Sequence, residues 1–312
     1  YGYGLTPEIV ELAKTRNPDL IITVDNGISS IEGVAAAKFS GIKTLITDHH
    51  LPGVTAPDAD AIVNPNQHGC NFPSKSIAGV GVIFYVMLAL RAKLRETKWF
   101  EENRLAEPKL ADLLDLLALG TVADVVALDR NNRILVSEGL RRIRAGRTRP
   151  GITSLLEIAG RSSTRLTASD LGFSVGPRLN AAGRLDDMST GIECLLTDHE
   201  STAYKLALQL DGMNKDRKQI EGDMREQAFN FLQEFSLEEI DLPAALCIYD
   251  GRWHQGVVGI LASRVKEKFN RPVIAFADAN DSGNEIKGSA RSIKGFHIRD
   301  ALDAVASSNP GM

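Results

Sequence analysis

The segment TLITDHHLP places three titratable side chains directly after a short run of strand-forming residues. Asp48, His49 and His50 follow Thr44–Thr47 and precede Pro52. One carboxylate and two imidazoles offer oxygen and nitrogen ligands, which suit Mn²⁺, Fe²⁺ or Mg²⁺ with water better than they suit a closed thiolate zinc site. The alternative is that Asp48 caps a turn and that the histidines are partly exposed loop residues. The pattern predicts a divalent metal site at the end of this strand.

Two predicted strands bring a second carboxylate to the same place. DLIITVDNG reads as a buried strand that ends at Asp25, because an unbroken β-branched run is closed by Asn-Gly. A helical pattern between Ser29 and Gly41 separates it from the next strand, IKTLITD. This order predicts a right-handed βαβ unit with parallel strands, followed by a third strand at residues 60–65. Asp25 and Asp48 should therefore lie at the carboxyl edge of the sheet, where open α/β sheets bind ligands.

A further acid, Asp124, lies in GTVADVVAL between apolar neighbours. Burial of an unpaired carboxylate is costly, so we expect Asp124 to hold a metal, another cation or several backbone N–H groups. The alternative is a capping role beside the preceding buried helix, whose apolar spacing covers Leu113–Leu119.

Composition limits the class of protein. The 312 residues favour about two domains, and 43% hydrophobic content is enough for a core in each. The longest apolar stretch, Gly79–Leu90, is shorter than the ~20 residues that a membrane span needs. Three scattered cysteines disfavour a disulfide framework and a zinc site. With no signal-peptide pattern, these features predict a cytoplasmic protein with no membrane partner.

The overall charge gives no general attraction for nucleic acid. The formal net charge is −4, but five arginines lie between Arg141 and Arg149. This cluster is either a solvated helix face or a track for a DNA backbone.

Six motifs occur in an order that resembles the DHH phosphoesterase superfamily. ITVDNG, TDHHLP and GTVADVVAL resemble the superfamily as a whole. GPRLNAAGRL, WHQGVVGI and KGSARS resemble its branch of bacterial single-strand-specific 5′→3′ exonucleases. The resemblance implies a two-metal phosphodiesterase that depends on Mn²⁺ or Mg²⁺, with Asp25, His49 and Asp124 as metal ligands. It also implies that His50 positions the scissile phosphate or protonates the leaving oxygen, and that Asp48 orients the loop or an imidazole.

The predicted fold class is α/β, in two domains joined by a helix. Periodic apolar residues predict one long helix over Ser201–Phe235, with charged residues such as Arg217 and Glu221 on its other faces. The resemblance implies a parallel-sheet DHH domain over residues 1–198 and a smaller α/β DHHA1-type domain over residues 237–312. The helix at residues 199–236 connects them, and the active-site cleft is expected between the two domains.

The resemblance further implies that the smaller domain holds a terminal phosphate of the substrate. The fork of an arginine can bond two phosphate oxygens at once, and a hydroxyl can add a third contact. A predicted helix N-terminus at Gly256 adds a natural anion site. Arg184 has an alternative role as ion-pair partner of Asp186 or Asp187. The residues expected to bind DNA or phosphate are Arg178, His254, Gly288, Ser289 and Arg291.

These features predict stepwise hydrolysis of single-stranded DNA from a 5′ end, in DNA repair and recombination. Single-strand-binding protein and repair helicases are the implied protein partners. One alternative is a DHH phosphoesterase that acts on oligoribonucleotides, small nucleotide phosphates or pyrophosphate. Another is a non-catalytic DHH-like scaffold in a replication assembly.

The superfamily carries a D-x-D motif on an earlier strand, which supplies ligands to the second metal. No D-x-D precedes Asp25 in this chain. We therefore expect a chain truncated before that motif and before a C-terminal OB-type domain. Such a chain would lack ligands for the second metal and would be nearly inactive by itself.

Overall fold

The computed structural model describes residues 4–237, 243–279 and 285–308. Short 3₁₀ turns cover Leu110–Leu113 and Ser163–Arg165, and a π-helical turn covers Leu171–Val175. The helices and strands in chain order are α1 Pro7–Lys14, β1 Leu20–Val24, α2 Ile31–Phe39, β2 Lys43–Thr47, β3 Ala61–Val63, α3 Gly79–Glu96, α4 Trp99–Glu102, α5 Leu114–Ala123, α6 Arg130–Arg144, α7 Pro150–Ile158, α8 Ala168–Asp170, α9 Gly176–Leu185, α10 Ser189–Leu196, α11 Glu200–Leu237, β4 Leu246–Tyr249, α12 Val258–Phe269, β5 Val273–Asp278, β6 Ile286–Arg291 and α13 Ile298–Ser308.

Strands β1, β2 and β3 form a parallel sheet in that order, as predicted. The register pairs Val24 with Thr47, so β1 and β2 end side by side. The N–H of Asp25 donates to the carbonyl of Thr47 at 2.9 Å, and the N–H of Asp48 donates to that of Val63 at 3.1 Å. The sheet therefore delivers Asp25 and Asp48 to one edge.

The prediction that β1 is a buried strand is wrong. Side chains alternate along a strand, and Thr23 faces inward while Leu20, Ile22 and Val24 are 44%, 49% and 44% exposed. The inward face packs with Val10 on α1 and with other members of the sheet core, Leu5, Val34, Ala37, Ile42 and Ile46. Among the described residues, only one face of β1 is covered.

Close helix packing fixes α5, the helix that leads to Asp124. A Cβ on Gly120 would lie 2.8 Å from Val80 of α3, and a Cβ on Gly139 of α6 would overlap the carbonyl oxygen of Leu114. These two glycines let α3 and α6 approach α5 closely, so that the end of α5 is held firmly.

Internal contacts divide the chain into two compact units. The first unit runs to Pro177 and includes Cys194–Tyr204; the second comprises Arg178–Glu193 and the chain from Lys205 onward. The second unit contains the sheet β4-β5-β6, in which β4 and β5 are parallel and β5 and β6 are antiparallel. Each unit combines a sheet with helices, which confirms the predicted α/β fold class. The cleft between the domains stays a prediction.

Helix α11 confirms the long helix predicted from the sequence. The predicted boundaries at residues 198 and 236 differ from the division by contacts, because α11 contributes Met224 and Ala228 to the core of the second unit. Two of the charged residues predicted on the other faces of this helix, Arg217 and Glu221, are buried. Arg217 donates to Glu221 at 2.9 Å, and this pairing compensates their burial. The predicted apolar position Phe231 lies outside the side chains that the structure describes.

No helix within the described ranges is long and apolar enough to cross a membrane.

Candidate metal centre and candidate phosphate site

Asp25, His49 and Asp124 converge in the first unit. The Nε2 atom of His49 lies 3.0 Å from Oδ1 of Asp25 and 3.5 Å from Oδ2 of Asp124. This nitrogen is buried, and its geometry toward both carboxylates is not that of a hydrogen bond. His50 is close as well, because one ligand atom each from Asp25, His49 and His50 lie within 4.8 Å of one another.

These donors fit a divalent cation. A buried imidazole nitrogen that faces two carboxylate oxygens has the chemistry of a metal ligand. Neutral imidazole and carboxylate oxygens are also the ligands that Mn²⁺ accepts. The structure brings Asp25 and Asp124 each into contact with His49, and the role of the three residues as ligands stays a prediction.

Several ionisable side chains lie close together at the candidate metal centre and shift one another's pKa values. The contact with Asp25 raises the pKa of His49 against the opposing effect of burial, with further contributions from Asp124 and Asp48. Partial burial raises the pKa of Asp124, and the charge of Asp25 adds to that rise while His49 opposes it. A bound cation would relieve the repulsion between the two carboxylates.

Asp48 organises the loop that carries the histidines. Its carboxylate is 1% exposed and accepts from the N–H of Ile28 at 2.9 Å and from the N–H of His49 at 2.7 Å. The N–H of His50 donates to it at 3.1 Å, and Nδ1 of His50 lies 2.7 Å from the same oxygen. Burial opposes ionisation, but these hydrogen bonds outweigh it and lower the pKa of Asp48. Asp48 therefore fixes the ring of His50, with Nδ1 as the donor.

Gly79 is a site residue that the sequence analysis missed. Asp25 has a left-handed backbone with φ of 67°, and Gly79 at the start of α3 lies against its side chain. A Cβ on Gly79 would lie 2.5 Å from Cβ of Asp25, and real Cβ atoms do not approach so closely. The N-terminal end of α3 also favours a negative charge at this place. The glycines of AGVGV are the only sequence signal for this contact.

The predicted burial of Asp124 between apolar neighbours is wrong. Helix α5 ends at Ala123, and Asp124 is the C-terminal capping residue, with its side chain one-third exposed. Val125 then takes a left-handed conformation, with φ of 61°, and is 86% exposed. Because the chain turns outward here, its neighbours do not enclose the carboxylate, which faces His49 instead.

In the second unit, Arg291 lies in a cluster of neutral oxygens. Its Nε donates to Oγ of Ser263 at 3.0 Å, and its Nη1 donates to Oγ of Ser289 at 3.0 Å and to the carbonyl of Ala290 at 2.8 Å. A Cβ on Gly259 would lie 2.9 Å from both Arg291 and Ser289, so this glycine lets them approach α12. Neither Gly259 nor Ser263 was predicted as a site residue, although Gly259 lies in the motif WHQGVVGI and Ser263 follows four residues later.

The charge of Arg291 is unfavourable where it lies. Burial lowers the pKa of its guanidinium, and the nearby charge of Arg184 lowers it further. Arg184 donates to the carbonyl of Gly256 at 3.1 Å, rather than pairing with Asp186 or Asp187 as the alternative proposed. Two neighbouring cations favour an anion between or beside them.

Two other residues that were predicted to bind DNA or phosphate contact other groups of the protein itself. Nδ1 of His254 accepts from the N–H of Gly256 at 3.1 Å, and α12 begins at Val258, so the helix start predicted at Gly256 is wrong. Because the chain forms a turn after His254, the helix begins two residues later than predicted. Gly288 lies against Phe276, where a Cβ would approach the ring to 2.5 Å.

Arg178 is tied to the long helix. Its Nε and Nη2 each lie 2.8 Å from Oδ1 of Asp211, and Lys215 contacts the other oxygen of Asp211 at 2.9 Å. Asp211 was not predicted as part of a site. It fixes the position of a predicted phosphate ligand.

The arginine cluster at residues 141–149 is mostly engaged inside the first unit, which favours the interpretation as a helix surface. These contacts are Arg141 with Glu138, Arg142 with Asp112 at 2.7 Å, Arg144 with the carbonyl of Leu166 at 2.8 Å and Arg149 with Asp198 at 2.9 Å.

Comparison with known proteins places this chain in one superfamily. Residues 3–121 match the DHH family N-terminal domain, and residues 242–311 match the DHHA1 domain. A crystal structure of exonuclease RecJ bound to manganese is similar, with a TM-score of 0.76 and 32% identity, over 97% of this chain and 70% of that one. The chain belongs to the DHH family and, within it, to the RecJ group.

Curated relatives have the same description. The single-stranded-DNA-specific exonuclease RecJ of Salmonella typhimurium is 59% identical, and that of Escherichia coli is 58% identical, each over 311 residues. The alignments cover 100% of this chain and 54% of each relative. The chain thus spans about half the length of the curated relatives that it matches.

Proposed function

We propose that this protein hydrolyses single-stranded DNA from the 5′ end with the help of Mn²⁺ or Mg²⁺. The observation that carries the proposal is the buried Nε2 of His49, which lies 3.0 Å from a carboxylate oxygen of Asp25 and 3.5 Å from one of Asp124. Relatives described as single-stranded-DNA-specific exonucleases support the substrate. RecJ structures in complex with Mn²⁺ and with Mg²⁺ support the cofactor.

Asp25, His49 and Asp124 would hold the metal. Divalent ions held by these residues would activate a water molecule and neutralise charge on the attacking and leaving oxygens. His50 contributes a ring whose Nδ1 is held by Asp48, so its Nε2 is available to contact the scissile phosphate or to protonate the leaving oxygen. Asp48 itself stays ionised, since its hydrogen bonds lower its pKa.

Arg291 and Ser289 would bind the 5′-terminal phosphate. Among the described residues the bonding partners of Arg291 are neutral oxygens, so its charge has no carboxylate to neutralise it there. A phosphate supplies that charge and accepts from several donors at once. Arg178, oriented by Asp211, provides a second cation for the strand.

The proposal extends to the setting of the enzyme. Single-stranded DNA is the main partner, and single-strand-binding protein and repair helicases in the cytoplasm would supply that substrate. This part rests on the family alone.

Degradation of matched substrates tests the proposal. The full-length protein is incubated with 5′-phosphorylated strands, the same strands in blunt duplex, and oligoribonucleotides of the same sequence, in Mn²⁺, in Mg²⁺ or in EDTA. We expect products shortened from the 5′ end, from the single strand only and in the presence of metal only. Asp25→Ala should abolish the reaction, and Asp58→Ala, on an exposed carboxylate, serves as the control. Preferential cleavage of the oligoribonucleotide, or undiminished cleavage in EDTA, would contradict the proposal.

A further inference from the structure

Residues 64–78, which we call the brace segment, connect the two parts of the candidate metal centre. At one end the segment bonds the backbone of His49 and His50. At the other end it bonds the chain that follows Asp124. It belongs entirely to the first unit, as do these partners.

Two asparagines make the contacts with the histidines. Nδ2 of Asn64 donates to the carbonyl of His50 at 2.9 Å, and Nδ2 of Asn66 donates to the carbonyl of His49 at 2.6 Å. Asn64 is buried, and its Oδ1 accepts from the backbone N–H of Asn66 at 2.8 Å, so the side-chain amide of Asn64 is tied to the backbone at Asn66. His49 and His50 lie outside regular secondary structure, so no strand or helix ladder fixes their carbonyls.

The middle of the brace segment is closed by Lys75. Its carbonyl accepts from Nδ2 of Asn66 at 3.2 Å, while its Nζ donates to the carbonyls of Pro65 and Cys70 at 2.5 and 2.7 Å. These bonds close residues 65–75 into a loop.

The far end of the brace segment reaches the start of α6. Oγ of Ser74 donates to Asp129 at 2.6 Å, and Nδ2 of Asn132 donates to the carbonyls of Ser76 and Ala127 at 2.8 Å each. Ser74 and Asn132 are both buried, so water does not replace these bonds. Ala127 lies three residues after Asp124.

We propose that the brace segment sets the separation between His49 and Asp124, and that Asn64, Asn66 and Ser74 are positioning residues of the metal centre. The inference rests on the proposed function, since it takes this centre to bind a metal. The hydrogen bond from Asn66 to the carbonyl of His49 fixes the backbone from which the ring of His49 projects. Metal affinity depends steeply on ligand placement, so loss of a group that orients a ligand commonly weakens it by about 10–100-fold.

Mn²⁺ binding to the full-length protein tests the proposal, measured by calorimetry and by the electron paramagnetic resonance signal of free Mn²⁺. Asn66→Ala should raise the dissociation constant about tenfold or more. Excess Mn²⁺ should then restore most of the turnover number, because the chemical groups remain. Gln67→Ala is the matched control, since Gln67 bonds the carbonyls of Ile62 and Asn64 but not those of the histidines. It should leave the affinity within about twofold of the wild type.

Ser74→Ala examines the other end of the brace segment, far from the histidines in sequence. It should weaken Mn²⁺ binding in the same direction, and the Asn66→Ala/Ser74→Ala double variant should lose less than the two losses combined. If Asn66→Ala does not fold, as judged by circular dichroism, Ser74→Ala decides the question. Wild-type Mn²⁺ affinity in folded Asn66→Ala and Ser74→Ala, or an equal loss in Gln67→Ala, would overturn the inference. Failure of the wild type itself to bind Mn²⁺ would instead refute the proposed function.

Discussion

Individual side chains at the metal centre differ in what surrounds them. Nε2 of His49 is buried against two carboxylates, whereas the side chain of His50 is mostly exposed and held by Asp48 through Nδ1. These environments suit a metal ligand and a group that meets the substrate, respectively.

Substitution of the two histidines should separate these roles. We expect His49→Ala to lower Mn²⁺ binding and turnover together, because it removes a ligand atom. His50→Ala should lower turnover by about 10²-fold or more, the effect of losing one group that acts on the transition state, with little change in Mn²⁺ binding. Calorimetric titration and initial rates on single-stranded DNA measure both. Equal loss of metal in the two variants would mean that the roles are not divided in this way.

Arg291 should recognise the end of the strand. Arg291→Ala removes a guanidinium that faces neutral oxygens, and should weaken binding of 5′-phosphorylated strands by about 1.5–3 kcal/mol, the range for hydrogen bonds to charged groups. Strands with a 5′-hydroxyl should lose much less. Fluorescence anisotropy with both strands measures the difference. Arg252→Ala removes an exposed arginine paired with Asp250 and is the control. The same loss on both strands would leave Arg291 as a general contact to the backbone.

The start of α3 is the element on which Asp25 depends. Gly79→Ala should displace the Asp25 carboxylate and lower Mn²⁺ affinity, by about 10-fold or more, since its Cβ would overlap that side chain. Gly212→Ala, in α11, is a matched control because a Cβ there meets nothing within 4 Å. It should raise stability by about 0.5–1 kcal/mol and leave metal binding unchanged. Calorimetry and chemical denaturation measure the two effects. Unchanged Mn²⁺ affinity in Gly79→Ala would show that Asp25 can move without loss.

Asp211 joins α9 to α11 through Arg178. Burial opposes its ionisation, but Lys215 and Arg178 outweigh that effect and hold the pKa of Asp211 below its ordinary value near 3.8. A lowered pKa in the folded state means that the carboxylate stabilises the fold above the unfolded pKa, and that this contribution is lost as pH falls through the folded pKa.

Asp211→Asn should therefore destabilise the protein by about 1.5–3 kcal/mol at pH 7, as expected for hydrogen bonds to charged groups. The difference from the wild type should shrink only as pH falls below about 4. Urea unfolding at a series of pH values measures it. A difference that is already lost near pH 6 would contradict the assigned cause.

At the scale of the whole molecule, the two units contribute different chemistry. The first unit contains Asp25, His49 and Asp124, and the second contains Arg291 and Ser289. A ligand that binds only the folded state stabilises the part of the protein that holds it, by about 2.7 kcal/mol at a hundredfold excess over the dissociation constant.

Mn²⁺ should accordingly raise the melting temperature of the first unit. Differential scanning calorimetry of the full-length protein, with Mn²⁺ or with EDTA, should show one metal-sensitive transition. A second transition, from residues of the second unit, should not move. In Asp25→Ala the metal-dependent shift should be lost. A shift of equal size in Asp25→Ala would place the bound Mn²⁺ elsewhere.

The sequence by itself determined the βαβ order, the strand ends that carry Asp25 and Asp48, and the length of α11. These follow from hydrophobic periodicity and chain connectivity, which are local properties. It also singled out His49, His50 and Asp124, since catalytic motifs are short and contiguous. Only the tertiary structure revealed that Gly79 lies against Asp25.

Tertiary contacts also decided the features that local patterns cannot specify. Glu221 is buried and accepts from Arg264, 43 positions further along the chain, at 3.1 Å, and the carboxylate of Asp124 faces His49, 75 positions earlier. Asn66 holds the carbonyl of His49 across 17 positions of the chain. Burial, ion pairing and such backbone contacts depend on which distant segments meet. That is a property of the packed molecule, because residues far apart in sequence supply the partners.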